Sequence, residues 1–332
     1  MAEYKGILII AELVNNTLAP ISKELLGAGR KLAATLNEPV EAVLIGSGVA
    51  GAAPEAFHFG ADKVYVVDNP VLKDYRTDSY VAAVAKVAAQ ANPRIILAGQ
   101  TTIGRDLLPR LAFKLNSAAT MDCIDLSVDA ATKHLQMTKP VYGGNARALF
   151  TADSFPQMAT VRAKAMSPIA ADSSRKGDVI NIDAGIDAAA VRTNVLQKVV
   201  AEVQGVKLEE APVVVTGGRG IGGPDGFKTL EELAKILKGA VGASRPACDS
   251  GWVPDTMQVG LTGKIVSPDV YIAVGVSGAS QHMAGCSGSK VIVAINRDPE
   301  ANIYQEARYG VIGDWKKIIP ALTAKLKELL GR

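Results

Sequence analysis

The sequence predicts an α/β protein of two domains, each a mostly parallel sheet flanked by helices. Three observations carry this. Short β-branched runs alternate with helical stretches over residues 5–115 and again from 213 onward, as strand–helix–strand crossovers require. The strand-like runs are apolar throughout, as in strands buried on both faces. The chain has 332 residues, enough for two domains of ordinary size.

Residues 5–13 (KGILIIAEL) read as a strand, and 21–36 as a helix weakened by Gly27 and Gly29. Strands follow at 40–45, 63–67 and 94–98, the second ending at Asp68 and the third running into GQTT. Helices are expected at 54–59, with Pro54 at its start, at 79–91 and at 103–115. From 122 to 162 the pieces shorten into strand-like segments added to, or beside, the parallel sheet, and Tyr142-Gly143-Gly144-Asn145 reads as a hairpin turn. Residues 163–195 lack periodicity and read as linker, and 195–203 as a strand of either domain. The expected division is a first domain over 1–195, a linker or hinge over 196–211 and a second domain over 212–332.

The second domain opens with a strand at 213–216, the stretch GGRGIGG and an amphipathic helix at 227–237. Two β-branched runs, 270–276 and 290–295, read as buried parallel strands, and 315–330 as a basic amphipathic helix. Both buried runs exit into small polar residues, Ser277-Gly278-Ala279-Ser280 and Asn296-Arg297-Asp298. Ligands of open α/β sheets bind outside the carboxyl ends of the strands, so this rim suits a polyanionic cofactor.

Composition excludes several classes. A net charge of +3, with no run of Lys or Arg, argues against nucleic acid or an anionic membrane. The apolar run near the N-terminus is strand-length, too short for a signal or membrane span. Three cysteines without CxxC spacing and three histidines argue against a disulfide framework or a metal site and fit a reducing cytoplasm.

The pattern GxGxxG occurs twice. Gly46-Ser47-Gly48-Val49-Ala50-Gly51, with Asp68 ending the next strand, has the elements of a dinucleotide fingerprint with its ribose-binding acid. It is also a tight turn in the second βα unit, with Pro54 starting the helix too late for the last glycine to pack there. In Gly218-Arg219-Gly220-Ile221-Gly222-Gly223, bare backbone N–H groups and Arg219 suit a phosphate, against the reading of a plain turn. Arg245, held between Ser244 and Pro246, is either a surface residue or a fixed cation near an electron-accepting ring. Gly260-Leu261-Thr262-Gly263 places a hydroxyl between glycines, where a planar ligand can approach closely. His282 stands a few residues past a strand's carboxyl end beside Gln281, which suits binding as well as a structural role. No nucleophile elbow, P-loop or HExxH motif occurs.

The segments SRPACDSGWVPDTMQVGLTGKIVSPDVYIAVGVSGASQHMAGC and KVIVAINRDPEANIYQEARYGVIGD closely resemble the C-terminal FAD domain of the electron transfer flavoprotein α subunit. The resemblance implies a Rossmann-like FAD-binding C-terminal domain. It also implies a heterodimer with a β subunit, and an N-terminal domain that pairs with that subunit and binds no nucleotide. Arg219 matches the phosphate-side Arg, and Ser244 with Arg245 the pair whose Arg lies against the isoalloxazine. Thr262, within Val259-Gly260-Leu261-Thr262, matches the hydroxyl reaching flavin N5. Ser277, Gly278, Ala279, Ser280 and Gln281 match the phosphate and ribityl loop, and His282 the residue at the flavin O2 edge. Asn296 matches the residue after the last inner strand, and Asp314 with Trp315 the adenosine end. Leu261 departs from the usual VGQTG, which removes a polar side chain.

The function implied is that of an electron carrier rather than a stand-alone enzyme. It would shuttle electrons from flavin dehydrogenases, such as the acyl-CoA dehydrogenases of fatty acid β-oxidation, to a quinone reductase. Arg245 and a protonated His282 would stabilise negative charge on the ring, with Thr262 tuning it. A close alternative is the electron-bifurcating form, whose β subunit oxidises NADH and which uses a ferredoxin or flavodoxin. An alternative of another class is an NAD-dependent oxidoreductase built on Gly46–Gly51 with Asp68.

Overall fold

The computed structural model describes residues 4–144, 146–186, 191–198 and 206–331. The chain forms two compact units, Met1–Pro140 with Arg147–Lys198, and Val141–Ala146 with Val199–Arg332. In both, parallel sheets are flanked by helices.

The first unit begins with β1 (Ile7–Ala11), a two-stranded ribbon of β2 (Leu13–Val14) and β3 (Thr17–Leu18), α1 (Pro20–Leu36) and β4 (Val40–Gly46). It continues through α2 (Ala53–His58), β5 (Lys63–Asp68), α3 (Thr77–Ala91), β6 (Ile95–Gly99) and α4 (Thr102–Lys114). Then come β7 (Ala119–Cys123), β8 (Asp125–Val128), β9 (Leu135–Val141), β10 (Ala146–Phe150), β11 (Gln157–Val161) and β12 (Asp178–Asn181). The main sheet has the order β12-β5-β4-β1-β6-β11-β7, with parallel neighbours. Helices α1 and α2 bury one face with Leu25, Leu26, Leu32 and Phe57. Helices α3 and α4 bury the other with Val84, Val87, Leu107 and Leu111.

Local chemistry explains most boundaries. Pro20 opens α1, and Asn37 closes it in the left-handed conformation. The Thr101 side chain accepts from the Gly104 backbone N–H at 3.0 Å to cap α4. Gly27 has a packing role in α1: a Cβ there would collide with the Ser167 carbonyl, so the glycine lets that segment lie directly on the helix.

The short pieces of residues 122–162 divide between two fates. Strands β7 and β11 complete the parallel sheet, whereas β8, β9 and β10 form a separate three-stranded sheet. The aperiodic stretch 163–195 is not all linker, because β12 pairs in parallel with β5. It carries no periodic signal because it is a short edge strand, exposed along most of its length. Of the expected strand at 195–203, residues 195–198 carry no strand, and the rest lies outside the described residues.

The second unit contains β13 (Val213–Gly217), α5 (Asp225–Ile236), β14 (Ala240–Ala243), α6 (Arg245–Asp249) and β15 (Val270–Val274). It ends with α7 (Ser280–Met283), β16 (Val291–Asn296), α8 (Ile303–Glu306), β17 (Tyr309–Ile312) and α9 (Trp315–Leu330). Its parallel sheet has the order β14-β13-β15-β16-β17. Phe227, Leu230, Leu233, Trp315 and Ile319 from α5 and α9 cover one face. Met283, Cys286 and Ile303, in or beside α7 and α8, cover the other. Leu208 and Ala211, inside the expected linker, are buried in this second core. Among the described residues no helix is long and apolar enough to cross a membrane.

All three cysteines are buried and unpaired. Burial pushes the thiols of Cys123 and Cys286 up to about 12 and raises that of Cys248.

Burial also raises Glu24 on α1 to about 7, against the opposing pull of the Lys164 backbone N–H that its carboxylate accepts at 2.7 Å. Glu24 is therefore favoured protonated in the folded state. The stability it contributes is complete below the unfolded value near 4.5 and is lost as pH rises through about 7. Glu24→Gln keeps an acceptor for Lys164 and removes the titration. Urea unfolding of the variant between pH 5 and 8 is expected to show a flatter dependence of stability on pH than the parent chain.

Candidate functional site

Because neighbouring strands in the second sheet are parallel, their carboxyl ends share one edge. The chain leaves β13 for α5 on one face and β15 for α7 on the other. The gap between those two strands is thus a topological switch point, where open α/β sheets bind ligands.

Two turns touch there backbone to backbone. The Gly218 N–H donates to the Val274 carbonyl at 2.8 Å, and the Gly220 N–H to the Gly275 carbonyl at 3.0 Å. A Cβ on Gly218 would collide with that same Gly275 carbonyl, while Gly275 itself has φ +63°. Arg219 opens the turn after β13 and is exposed. Gly222 and Gly223 follow with positive φ, and a Cβ on either would meet only open space.

The Ser244 N–H donates to the Gly217 carbonyl at 3.0 Å, which ties the loop after β14 to this turn. Ser244 is buried, and its Oγ has no hydrogen-bond partner. Arg245 is exposed, with Nε 3.3 Å from Asp249 one helical turn on. Next, the Val259 N–H donates to the Ala243 carbonyl at 2.9 Å, and the Leu261 N–H to the Gln281 carbonyl at 2.7 Å. The Gln258 Nε2 donates to the Thr262 hydroxyl at 3.0 Å. Backbone packs on backbone here too, since a Cβ on Gly285 would collide with Gly260. Leu261 keeps its side chain 55% exposed, so it presents an apolar surface where the usual pattern has an amide.

Ser277 and Ala279 are exposed in the loop after β15 and Ser280 and Gln281 in the first turn of α7, and Gly278 adopts φ +82° against the Ile303 backbone. His282 is buried. Its Nε2 lies 2.8 Å from the Tyr271 hydroxyl, and its Nδ1 has no hydrogen bond of ordinary geometry. Burial depresses the imidazole to about 4, only partly offset by the Val259 backbone. In the chain by itself a neutral His282 is therefore favoured over the expected protonated one, since charging it would leave a cation in a low-dielectric pocket without a carboxylate partner.

The structure thus brings Arg219, Ser244, Arg245, Val259, Gly260, Leu261, Thr262, Ser277–Gln281 and His282 to loops on one edge. The remaining expected residues have other engagements. The Asn296 amide donates to the Val276 carbonyl at 2.9 Å, and its oxygen accepts from the Asp298 N–H at 3.1 Å. Asp314 caps α9 by accepting from the Lys316 N–H at 3.0 Å and pairs with Arg297 at 2.6 Å. These bonds hold its carboxyl below the usual range, the Lys316 N–H first among them. Trp315 is buried against α5 in the core. Gln258 and Tyr271 were not anticipated. A tyrosine inside a run as apolar as VYIAV was the available signal, because a buried phenol needs a hydrogen-bond partner.

In the first unit, Asp68 accepts from the Gly48 N–H at 2.8 Å and the Val49 N–H at 3.1 Å. The acid that a ribose would need closes its own glycine turn.

The chemistry of the edge fits a flavin dinucleotide. Exposed backbone around Gly222 and Gly223 with Arg219 suits a pyrophosphate, and two buried polar atoms, Ser244 Oγ and His282 Nδ1, make no hydrogen bond of ordinary geometry within the chain. Among the described residues no cluster of His, Cys, Asp or Glu is arranged to hold a metal. Gly218→Ala would force the two central turns apart. It is expected to destabilise the second unit by about 3 kcal/mol, read as an earlier denaturation midpoint at unchanged m-value.

Comparison with known proteins bears on the whole chain. Residues 7–187 match the electron transfer flavoprotein domain, and residues 207–287 the electron transfer flavoprotein FAD-binding domain. The electron transfer flavoprotein subunit alpha of Thermoanaerobacterium thermosaccharolyticum is 47% identical over 99% of this chain and 100% of its own length. That of Megasphaera elsdenii is 44% identical over 100% of this chain and 99% of its own. Protein FixB of Clostridium saccharobutylicum is 41% identical over the same shares. The chain belongs to the electron transfer flavoprotein α-subunit family, and its C-terminal domain is an FAD-binding domain.

Proposed function

We propose that this chain is the FAD-bearing half of an electron-carrying heterodimer. It pairs with a β subunit and passes electrons from flavin dehydrogenases, such as acyl-CoA dehydrogenases, to a quinone reductase or another acceptor in the cytoplasm. The observation that carries this is the convergence of Arg219, Ser244, Arg245, Thr262 and His282 on the carboxyl edge of one sheet, at its switch point. The domain division belongs to the same reading. Residues 1–195 pair with the β subunit and bind no nucleotide, 196–211 form the linker, hinging ahead of the buried Leu208 and Ala211, and 212–332 hold FAD. The engagement of Asp68 within its own turn supports an empty first domain and disfavours an NAD-dependent oxidoreductase.

Bound FAD supplies reversible one- and two-electron chemistry. The protein's part is binding and electrostatics. Arg219 and the N–H groups of the glycine turn neutralise the pyrophosphate. Ser277–Gln281 with Ser244 supply hydroxyls and amides, and Asn296, Asp314 and Trp315 support the adenosine end through the loops they brace. Gln258 orients the Thr262 hydroxyl. Arg245 places a permanent cation beside the ring, where it lowers the energy of negative charge on the reduced form. Its exposed pairing with Asp249 is weak enough to yield. His282 serves as a neutral hydrogen-bonding group. Leu261 offers the ring edge no polar side chain, so Thr262 and Arg245 carry more of the tuning.

Co-purification with the partner subunit is expected to give a yellow complex with flavin absorbance. One flavin per heterodimer identifies the plain carrier, two the bifurcating form that takes electrons from NADH and serves a ferredoxin or flavodoxin. A colourless complex that takes up no added FAD overturns the proposal. Arg245→Ala removes one charge-assisted contact worth ~1.5 kcal/mol. Redox titration should therefore show a potential lower by about 60 mV per electron; an unmoved potential removes Arg245 from the mechanism.

A further inference from the structure

Neutral His282 carries one proton on two ring nitrogens, and its placement decides whether the residue donates or accepts at the site. Nε2 is held 2.8 Å from the hydroxyl of Tyr271, which is wholly buried as the second residue of β15. Nδ1 is left without a bond of ordinary geometry on a side chain nine-tenths buried, and the Val259 backbone is the other polar group that faces the ring. Burial raises the Tyr271 hydroxyl well above its ordinary value, so it remains a phenol with a proton to place. Thr216 and Cys286 also face that hydroxyl. The Cys286 thiol is turned to the His282 carbonyl at 3.6 Å, and sulfur is a weak acceptor. Thr216 Oγ1 has no bond of ordinary geometry. The well-placed acceptor for the phenol proton is therefore the imidazole.

We propose that Tyr271 is a positioning residue: its hydroxyl donates to His282 Nε2, which keeps the imidazole proton on Nδ1 and makes that nitrogen a donor to the carbonyl edge of the flavin ring. This rests on the reading that His282 borders FAD. A hydrogen-bond donor at that edge favours the electron-rich reduced ring, as an acceptor would not. Tyr271 thus acts on the flavin through another residue, from the far side of the pocket wall.

The test is Tyr271→Phe, which keeps the ring and removes only the hydroxyl. This chain carries three histidines, His58, His134 and His282. In the heterodimer with 15N-labelled histidine in this chain, the His282 ring signals are identified by their loss in His282→Gln. The expected result is an Nδ1–H tautomer in the parent protein and a mixture of tautomers in Tyr271→Phe. The reduction equilibrium of the variant's flavin should fall up to tenfold, which is about 59 mV for one electron. An Nε2–H tautomer in the parent, or an unchanged tautomer in the variant, overturns the proposal. A potential moved by His282→Gln but not by Tyr271→Phe overturns the positioning role. A potential unmoved by both variants instead overturns the reading that His282 borders FAD, and leaves the tautomer result to stand by itself.

Discussion

The contact of bare backbone on bare backbone at the carboxyl edge of the second sheet is the constraint on which the site depends. Gly218 and Gly220 lie on Gly275, and Gly285 lies on Gly260, each too close for a side chain. Side-chain packing between these turns would hold them several ångströms farther apart. The hydrogen bonds from Gly218 and Gly220 to the end of the neighbouring strand would then be lost. Loops of this kind have little apolar surface with which to order themselves. Their rigidity comes instead from being bonded to the ends of strands whose own residues are almost wholly buried. The recognition residues thereby inherit the precision of the sheet rather than the latitude of a surface loop.

Charge is distributed over this edge by burial. The permanent cations Arg219 and Arg245 are exposed, where a guanidinium keeps its hydration until a ligand replaces it. The titratable group, His282, is buried and accordingly neutral. Fixed positive charge thus stands on the exposed side of this edge, while the buried imidazole offers a directional hydrogen bond without charge. A buried imidazolium would have needed a carboxylate partner; the pocket places a phenol there instead.

Much of the fold was legible because the inner strands announce themselves. β1, β4, β5, β6, β13, β15 and β16 are apolar on both faces and bounded by polar or small residues, so the sequence reading placed them within about two residues. Edge strands gave no such signal. β12 and β17 are mostly or wholly exposed, and β14 is the four residues AVGA, which resemble a loop as much as a strand. Of the site, the glycine turns, the arginines and the small polar exits could be read because their position after a strand carries the chemistry. Side-chain commitments could not. Asn296, Asp314 and Asp68 are each spent on neighbouring backbone N–H groups, and Trp315 on the core. Linear spacing does not say which partner wins when backbone and ligand compete for one carboxylate or amide. Tyr271 and His282 stand eleven residues apart and meet only through the turn of the chain after β15.

The sulfur chemistry of this chain has a bearing on its traffic in electrons. With the thiols of Cys123 and Cys286 at about 12, only about one in 10^5 is ionised at neutral pH. Thiolate is the form that attacks peroxides and disulfides. These two sulfurs, and the buried Cys248 whose thiol is also raised, thus offer an oxidant little reactive thiolate beside the bound flavin.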